Sequence, residues 1–379
     1  MEVIFGTQRV SYMYKVIDLF AGVGGLSYGF EKDPEFKIVA ANEILKPMAT
    51  AYSLNHPNVK MYNEDISTFG KEKLVNDLGQ EYADIDIIVG GPPCQAYSTV
   101  GKRLIDDPRG KLFQEYYRLL VEFKPKLFVF ENVTGLLTMA NGELIETIVK
   151  LFSSLGYKVK YKTLNAADFG APQQRKRVII VGTTSSKEFE FPEETHTGDF
   201  SQNSLFGKGL TPHVTLADAL SDLPLLIKEN VGYNYITEPQ NKYQELMRKQ
   251  APELILEHEK PNYNANLVAI MNALPEGGTP KDLPLSLRPK SGFGNSYSRL
   301  WWDRPSTTIT RNLGTPSSAR CVHPLVSRAL TTREGARLQG FPDNYQFFGS
   351  RSQKNLQIGN AVPTFLSIAL KNAILKHLD

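Results

Sequence analysis

KVIDLFAGVGGL, Lys15 to Leu26, passes from a short apolar run into a glycine-rich loop, and its reading sets the class of the fold. A strand that gives way to Asp18-Leu-Phe-Ala-Gly-Val-Gly-Gly-Leu26 and then opens a helix lets the backbone approach a ligand closely, because glycine carries no Cβ. A dinucleotide dehydrogenase would present G-x-G-x-x-G at this point. Here the sixth position is Ser27 and Phe-Ala precedes Gly22, which lowers the nicotinamide reading. Working outward, further strand candidates are FKIVAANE ending at Glu43, DIDIIVG ending at Gly90, KLFVFEN ending at Asn132 and RVIIVG ending at Gly182. Helical patterns fall between them, at Lys111 to Phe123 and Gly142 to Leu155. This alternation from Lys15 to about Thr183 predicts an α/β domain on a Rossmann-like sheet.

Beyond about Ser185 the pattern weakens. Pro, Gly, Asn and Ser punctuate the chain, and only Asn241 to Glu259 has a helical look. After His323, TTREGARLQG and NAVPTFLSIALKNAILKHL restore regular structure. The expected organisation is therefore a tail over residues 1–14, an α/β domain over 15–184, a smaller loop-rich domain over 185–323, and a segment over 324–379 that returns to the first domain.

Composition narrows the function less than the motifs do. With 379 residues, 41% hydrophobic and 22% charged, the chain reads as an ordinary globular protein rather than a disordered or collagen-like one. A net charge of +3 permits a polyanionic partner without demanding one. Two distant cysteines, Cys94 and Cys321, argue against a disulfide scaffold and against a zinc site, so no metal is expected and a reducing cytoplasm is the natural compartment. No run of about 18 apolar residues and no signal-peptide pattern is found, so neither membrane spanning nor export is expected.

The local signal that stands out is GGPPCQAYS, Gly90 to Ser98, which places Cys94 just past a buried strand. Two prolines fix φ and remove donors on the approach, so the thiol is held in one place. A free cysteine is most often a small hydrophobe, but this one sits among Pro, Gln and Ser with nothing to pack as core. Cys321, in ARCVHP, lacks such a frame and reads as structural. Glu131 ends the strand expected beside the one feeding Cys94; next to an apolar wall its pKa would rise, which suits proton donation, although an ion-paired glutamate is the plainer reading. In APQQRKRVIIVG, Gln173, Arg175 and Arg177 alternate on one face at a strand start. Glu43, at the end of the second strand, is placed to accept hydrogen bonds from ribose hydroxyls, and Asp65, after VKMYNED, to meet an adenine amino group.

In order and in wording these residues resemble the cytosine carbon-5 DNA methyltransferase family across nearly the whole chain. The family's succession of motifs falls on Phe20 to Leu26, Pro92 to Gln95, Glu131 to Val133, Gln173 to Arg177, Arg333 to Gln339 and Gly359 to Pro363. The resemblance implies S-adenosylmethionine as cofactor, held by Phe20, Gly22, Gly24, Gly25, Leu26, Glu43, Asp65, Ile66, Pro92, Asn360 and Val362. It implies Cys94 as covalent nucleophile, Glu131 at ring nitrogen 3 of the cytosine, Arg177 at its carbonyl oxygen and Arg175 in support. The base would be swung out of duplex DNA, with Ala96 to Lys111 as a lid hinged at Gly101 and Gly110.

The same resemblance puts target recognition in the loop-rich region. Arg299, Arg304, Arg311 and Asn312, within Gly292 to Arg320, are the candidate DNA contacts there, with Gln95 and Ser98 beside the nucleophile. At least one of Trp301 and Trp302 is expected in a core, and Arg328, Arg333 and Arg337 are expected to organise the hinge between domains. Family habit further implies a monomeric microbial modification enzyme, with a restriction endonuclease acting separately. Three rivals remain: a tRNA cytosine methyltransferase on the same scaffold, whose Cys-Phe-Thr element is missing here; a silent DNA-binding relative, which would have lost the nucleophile or the glycines; and a nicotinamide oxidoreductase.

Overall fold

The computed structural model describes residues 12–93, 111–198, 209–226, 233–259, 262–290 and 295–379. Its centre is a seven-stranded sheet built from β1 (Tyr14–Leu19), β2 (Phe36–Asn42), β3 (Lys60–Tyr62), β4 (Ile87–Gly90), β5 (Leu127–Val133), β6 (Lys158–Asn165) and β7 (Lys176–Thr183). The strands lie in the order β3-β2-β1-β4-β5-β7-β6. Every pairing is parallel except those of β7, which runs antiparallel between β5 and β6. Strand order reverses between β1 and β4, so the crevice outside their carboxyl ends is where a ligand is expected. Phe20 and Gly91 leave the sheet at that point.

All five strands expected from the sequence form. β3 and β6 were not anticipated. β6 reads Lys-Val-Lys-Tyr-Lys-Thr with Lys158, Lys160 and Lys162 exposed, a lysine-studded edge strand that carries little apolar signal and discourages pairing with another chain.

Side chains alternate across the sheet into two cores. One face buries Ile17, Leu19, Ile88, Phe128 and Phe130 beneath Leu74, Tyr116, Leu120 and Phe152. These come from α3 (Lys71–Leu78), α4 (Lys111–Phe123) and α5 (Glu143–Ser154), which follow α1 (Tyr28–Glu31) and α2 (Lys46–Asn55). The other face buries Val16, Ile87, Val89, Leu127 and Val129 against Phe30 of α1 and against Leu366, Leu370 and Ile374.

The second half contains α6 (Leu216–Leu220), α7 (Lys242–Arg248), α8 (Ala265–Ala273), α9 (Thr332–Leu338), α10 (Arg351–Asn360) and α11 (Thr364–Leu378). The chain does return to the sheet, since α11 supplies Leu366, Leu370 and Ile374. Arg351–Leu378 is apolar and long enough to cross a membrane, but Pro363 interrupts it and it packs on the sheet as core. Packing runs across the boundary drawn at Ser185: Phe189 joins the α11 face, and Leu216 and Leu220 share a cluster with Val23, Met48, Ile309 and Phe341. The helix expected over Asn241 to Glu259 stops at Arg248, because Pro252 removes a donor and clashes with the preceding turn. A satellite core of Ile270, Met271, Leu274, Leu283 and Val322 underlies the smaller lobe.

The three arginines near α9 are all consumed internally. Arg337 is fully buried between Asp222 and Asp343, 2.7 Å from the latter. Arg333 donates to the carbonyls of Leu256, Pro342 and Tyr345. Arg328 grips Glu334 with both terminal nitrogens, at 2.8 and 2.7 Å. His323 lies in the same buried cluster, and burial holds its pKa down to about 4 despite the nearby Glu334.

That histidine gives a pH dependence with a definite sign. The unfolded chain takes up a proton below the ordinary pKa of about 6.5, whereas the folded chain resists it until about 4, so stability is lost as pH falls through that window. The loss is on the order of 3 kcal/mol by pH 4. Chemical denaturation at stepped pH measures it, and His323→Gln is expected to flatten the profile between pH 6.5 and 4. An unaltered slope in that variant would refute the assignment.

Candidate active site

A cavity of about 610 Å3 opens at the carboxyl ends of β1, β4 and β5 and runs continuously from the glycine loop to Glu131 and Arg177. The loop after β1 is shaped by backbone that only some residues adopt: Gly22 and Gly24 have φ of +56° and +89°, and Phe20 sits at +55°. Phe20 is the uncommon case, a non-glycine residue in the left-handed region, of the kind held at functional sites. Gly25 marks a close approach of backbone to backbone. A Cβ there would lie 2.3 Å from the Val362 carbonyl oxygen, so the loop and the carboxyl-terminal segment close on each other.

Gly25→Ala is therefore expected to prise Val362 from the loop. A loss of about 1–3 kcal/mol of stability should accompany weakened cofactor binding. Thermal melting with and without S-adenosylhomocysteine checks this, and a variant with the wild-type midpoint in both conditions would contradict it.

Glu43 closes the opposite wall. One carboxylate oxygen accepts from Gly22 N at 2.9 Å and the other from Leu45 N at 2.8 Å. Burial nonetheless raises its pKa. Asp65, which also lines the cavity, caps the turn Ile66–Thr68 by accepting from Ser67 N at 2.9 Å. Of the residues expected to hold the cofactor, Phe20, Gly22, Gly25, Leu26, Glu43, Asp65, Ile66, Pro92, Asn360 and Val362 all line this one cavity. Gly24 does not. It packs against His56, whose Nε2 would be 2.3 Å from a Cβ at that position, so its role is to let the loop lie flat on α2. The lining also includes Asp18, Asn42, Ile44, Leu45 and Met48, which the sequence reading gave no role.

At the other end, Glu131 and Arg177 form an ion pair, Nε to Oε1, at 2.7 Å. Burial raises the Glu131 pKa and outweighs the two neighbouring guanidiniums, as the apolar strand end led one to expect. Arg175 is buried and holds the carbonyl oxygens of Ile309 and Gly359 at 2.7 and 2.8 Å. It thereby ties β7 to the smaller lobe and to the carboxyl-terminal segment. Burial beside Arg177 holds its pKa below the usual guanidinium value. Gln173 works on the same joint, donating to Leu338 O and accepting from Ile309 N, both at 2.8 Å.

Cys94, Gln95, Ser98 and the whole loop from Ala96 to Gly110 lie outside the described residues. Their approach is described. Asn132 Nδ2 donates to Pro92 O at 3.0 Å, and a Cβ on Gly91 would lie 2.7 Å from Glu131 Oε2. The strand that feeds Cys94 is thus pinned against the carboxylate expected to work with it. Neither Asn132 nor Gly91 was given a role from the sequence, although both lie within motifs that were quoted.

Among the expected DNA contacts, Arg304 and Arg311 are exposed and Asn312 is half-buried. Arg311 lies where its backbone crosses Gly359, at the rim of the cavity. Arg299 must be corrected. It is buried and donates to the carbonyls of Leu274, His323, Pro324 and Val326 at 2.7–3.1 Å, with another bond to Met271 O. A guanidinium so consumed holds the lobe together and has nothing left for DNA. Trp301 and Trp302 are both half-buried, and Trp301 lies beneath Arg320 at 4.4 Å and Arg304 at 5.1 Å. Cys321 is buried and free, and burial drives its thiol pKa up, as befits a structural residue.

A parallel sheet with an antiparallel seventh strand, a glycine loop closed by a strand-end glutamate, and a carboxylate–arginine pair at the same cavity define an S-adenosylmethionine-dependent methyltransferase scaffold. Within that class the chain belongs to the C-5 cytosine-specific DNA methylases, whose family model matches residues 14–376. It is 36% identical to the Type II methyltransferase M1.HphI of Haemophilus parahaemolyticus, over 95% of this chain and 86% of that one. It is 33% identical to the Type II methyltransferase M.AgeI of Thalassovita gelatinovora, over 95% and 99%. Among solved structures, a candidate DNA modification methyltransferase encoded within an E. coli prophage superposes with a TM-score of 0.75 at 27% identity, covering 96% of this chain and 99% of that one. S. pombe Dnmt2, at 18% identity and a TM-score of 0.61, shares the fold.

Proposed function

We propose that this chain transfers a methyl group from S-adenosylmethionine to carbon 5 of a cytosine held within a short sequence of duplex DNA, with Cys94 as nucleophile. The observation that carries the reading is the single cavity in which the glycine loop and Glu43 meet Glu131 and Arg177. A nucleoside cofactor and a pyrimidine can occupy its two ends at once. The fit is supported by Glu43, a buried acid for the ribose hydroxyls, and by Asp18, whose buried Oδ2 has no hydrogen-bond partner. Phe20, Gly22, Gly25, Leu26, Asp65, Ile66, Pro92, Asn360 and Val362 would form the remaining walls.

The bound cofactor supplies an electrophilic methyl group; the chain's residues make carbon 5 able to take it. The Cys94 thiolate adds to carbon 6 of the ring, and the electron pair moves to give carbon 5 the character of an enamine. Glu131 donates a hydrogen bond or its proton to nitrogen 3, where negative charge would otherwise build, and its raised pKa suits that task. Arg177, held by Glu131, meets the ring carbonyl oxygen. Arg175 positions both by locking the strand to its neighbours. After methyl transfer, loss of the carbon-5 proton expels Cys94 and restores the ring. The target base must leave the duplex to reach this cavity.

Arg304, Arg311 and Asn312 would face the DNA, together with Gln95 and Ser98. The partner is duplex DNA, and a restriction endonuclease of the same specificity would act separately on it. The chain would work as a monomer in the cytoplasm; the monomer reading is supported by the glycine loop, Glu131 and Arg177 lining one cavity of one chain. The test is transfer from labelled S-adenosylmethionine to duplex DNA and to tRNA, followed by base-resolution mapping. Carbon-5 methylation confined to one short duplex motif is the expected result; transfer to tRNA alone would overturn the DNA reading.

A further inference from the structure

Phe20, Ala21, Gly22, Gly25 and Leu26 of the glycine loop line the cavity, but Val23 and Gly24 do not. Val23 is buried instead in the cluster of Met48, Leu338 and Phe341. The two glycines that flank it have φ of +56° and +89°. Because glycine tolerates either sign of φ, the peptide unit between Val23 and Gly24 can rotate at little steric cost, and hydrogen bonds must hold it. Its N–H meets Ala21 O at 2.9 Å, a bond internal to the loop. Its carbonyl oxygen accepts from the hydroxyl of Tyr345, 322 residues along the chain, which ties the loop to the rest of the fold.

We propose that Tyr345 is a positioning residue for the cofactor: its hydroxyl, oriented by His56, fixes the Val23 carbonyl and so sets the glycine loop in the shape that takes the cofactor. The inference rests on the cofactor reading given above and adds to it a residue that does not line the cavity. Hydrogen-bond accounting carries the argument. Tyr345 has one hydroxyl proton and Val23 O can only accept, so that proton points at Val23. His56 Nε2 lies 3.1 Å from the same hydroxyl oxygen and must then donate to it. His56 is wholly buried, just past the end of α2, with Glu31 Oε2 2.8 Å from Nδ1 but out of line for a hydrogen bond. A Cβ on Gly24 would lie 2.3 Å from His56 Nε2 and 3.1 Å from the Tyr345 hydroxyl, so the bare glycine lets both reach the loop.

The tyrosine stands on a fixed frame. It is buried, with its ring centroid 4.5 Å from that of Phe341 and 5.6 Å from that of Phe347. Arg333 donates to its carbonyl oxygen at 3.2 Å, and its own N–H meets Pro342 O at 2.9 Å. Beside it, Asn55 at the end of α2 pairs with the Gln346 backbone through both atoms of its side-chain amide, at 2.8 and 2.9 Å. Burial holds the Tyr345 hydroxyl well above its usual pKa, so it remains a donor at neutral pH. A loop already held by such a donor needs little further ordering when a ligand arrives, which favours affinity.

Tyr345→Phe keeps the ring and removes the hydroxyl. Calorimetric titration with S-adenosylhomocysteine is expected to show binding weakened about three- to tenfold, the scale of one neutral hydrogen bond. The cofactor KM should rise with it, while kcat at saturating cofactor stays within about twofold of wild type. Tyr243→Phe is the control for a purely structural loss, since Tyr243 is buried in the same cluster and donates to Arg337 O, away from the glycine loop. Both variants should melt below wild type, and of the two Tyr345→Phe alone should bind the ligand more weakly. His56→Leu should weaken binding as Tyr345→Phe does, His56→Gln, which keeps a donor, should recover part of the loss, and neither should add to the loss in a Tyr345→Phe background. If Tyr345→Phe fails to fold, His56→Leu against His56→Gln puts the same question with the tyrosine in place. Wild-type affinity in Tyr345→Phe, or an equal loss in Tyr243→Phe, would overturn the proposal, as would a fall in kcat with the cofactor KM unchanged. A wild-type chain that bound no S-adenosylhomocysteine would overturn the cofactor reading itself, and the role of Tyr345 with it.

Discussion

Cys94→Ala is expected to abolish methyl transfer, a fall on the order of 10^6-fold, which is the scale on which loss of a nucleophile acts. The reason lies in the ring. Carbon 5 of cytosine does not attack a sulfonium methyl group unaided, and none of the described residues that line the cavity can put electron density there. In the proposed mechanism Glu131 and Arg177 stabilise charge but form no bond to carbon. Cofactor binding should be unaffected, because the glycine loop, Glu43 and Val362 form their walls without the thiol. Fluorine in place of the carbon-5 hydrogen of the target cytosine gives a direct readout. With no proton to remove from carbon 5, elimination stalls and the protein stays bonded to the DNA. Wild type should form an adduct that survives denaturation, and Cys94→Ala should form none. An adduct in the variant would mean that another group is the nucleophile.

The site was more legible than the smaller lobe, for a physical reason. The residues expected to meet the cofactor sit at strand ends, where an apolar run stops and a glycine, an acid or a proline begins. That change of character is visible in one dimension, and it led to Glu43 and Glu131, whereas Phe20 and Pro92 were assigned to the cofactor by resemblance. Asn360 and Val362 were located by resemblance, since nothing local connects them to a loop more than 330 residues earlier. Asp18 went unassigned because an acid on an apolar strand gives no sign of whether its second oxygen finds a partner. Gly24 and Gly25 look alike in sequence, yet one accommodates His56 and the other the Val362 backbone.

In the smaller lobe the argument from residue type failed at Arg299. Short strands and turns expose many carbonyl oxygens that no ladder satisfies, and a guanidinium with five donors is a compact way to satisfy them. Arg299 does so in the lobe, as Arg333 does from within α9. An arginine in a loop-rich segment is thus as apt to replace missing secondary structure as to meet phosphate. Arg304 and Arg311 differ from Arg299 in exposure alone, which composition cannot convey.

Glu131→Gln is expected to lower kcat by about 10^2- to 10^4-fold, the range of general acid catalysis, with DNA and cofactor affinity changed only a few-fold. Glutamine fills the same volume between Gly91 and Arg177 and can still donate a hydrogen bond, so the pocket should keep its shape. What it cannot do is deliver a proton to nitrogen 3. The pH profile separates the two losses. Burial raises the Glu131 pKa, so the protonated form persists to higher pH than in an ordinary glutamate and then disappears. Wild-type single-turnover rates should therefore decline on the alkaline side, and the glutamine variant should lack that limb. The ion pair sets a further condition: Arg177 lowers the Glu131 pKa, so Arg177→Gln should move the alkaline limb upward in pH while it weakens the hold on the ring carbonyl. A limb that persisted unchanged in Glu131→Gln would assign the titration to another group, and Glu131 would then act as a fixed hydrogen-bond donor rather than as an acid.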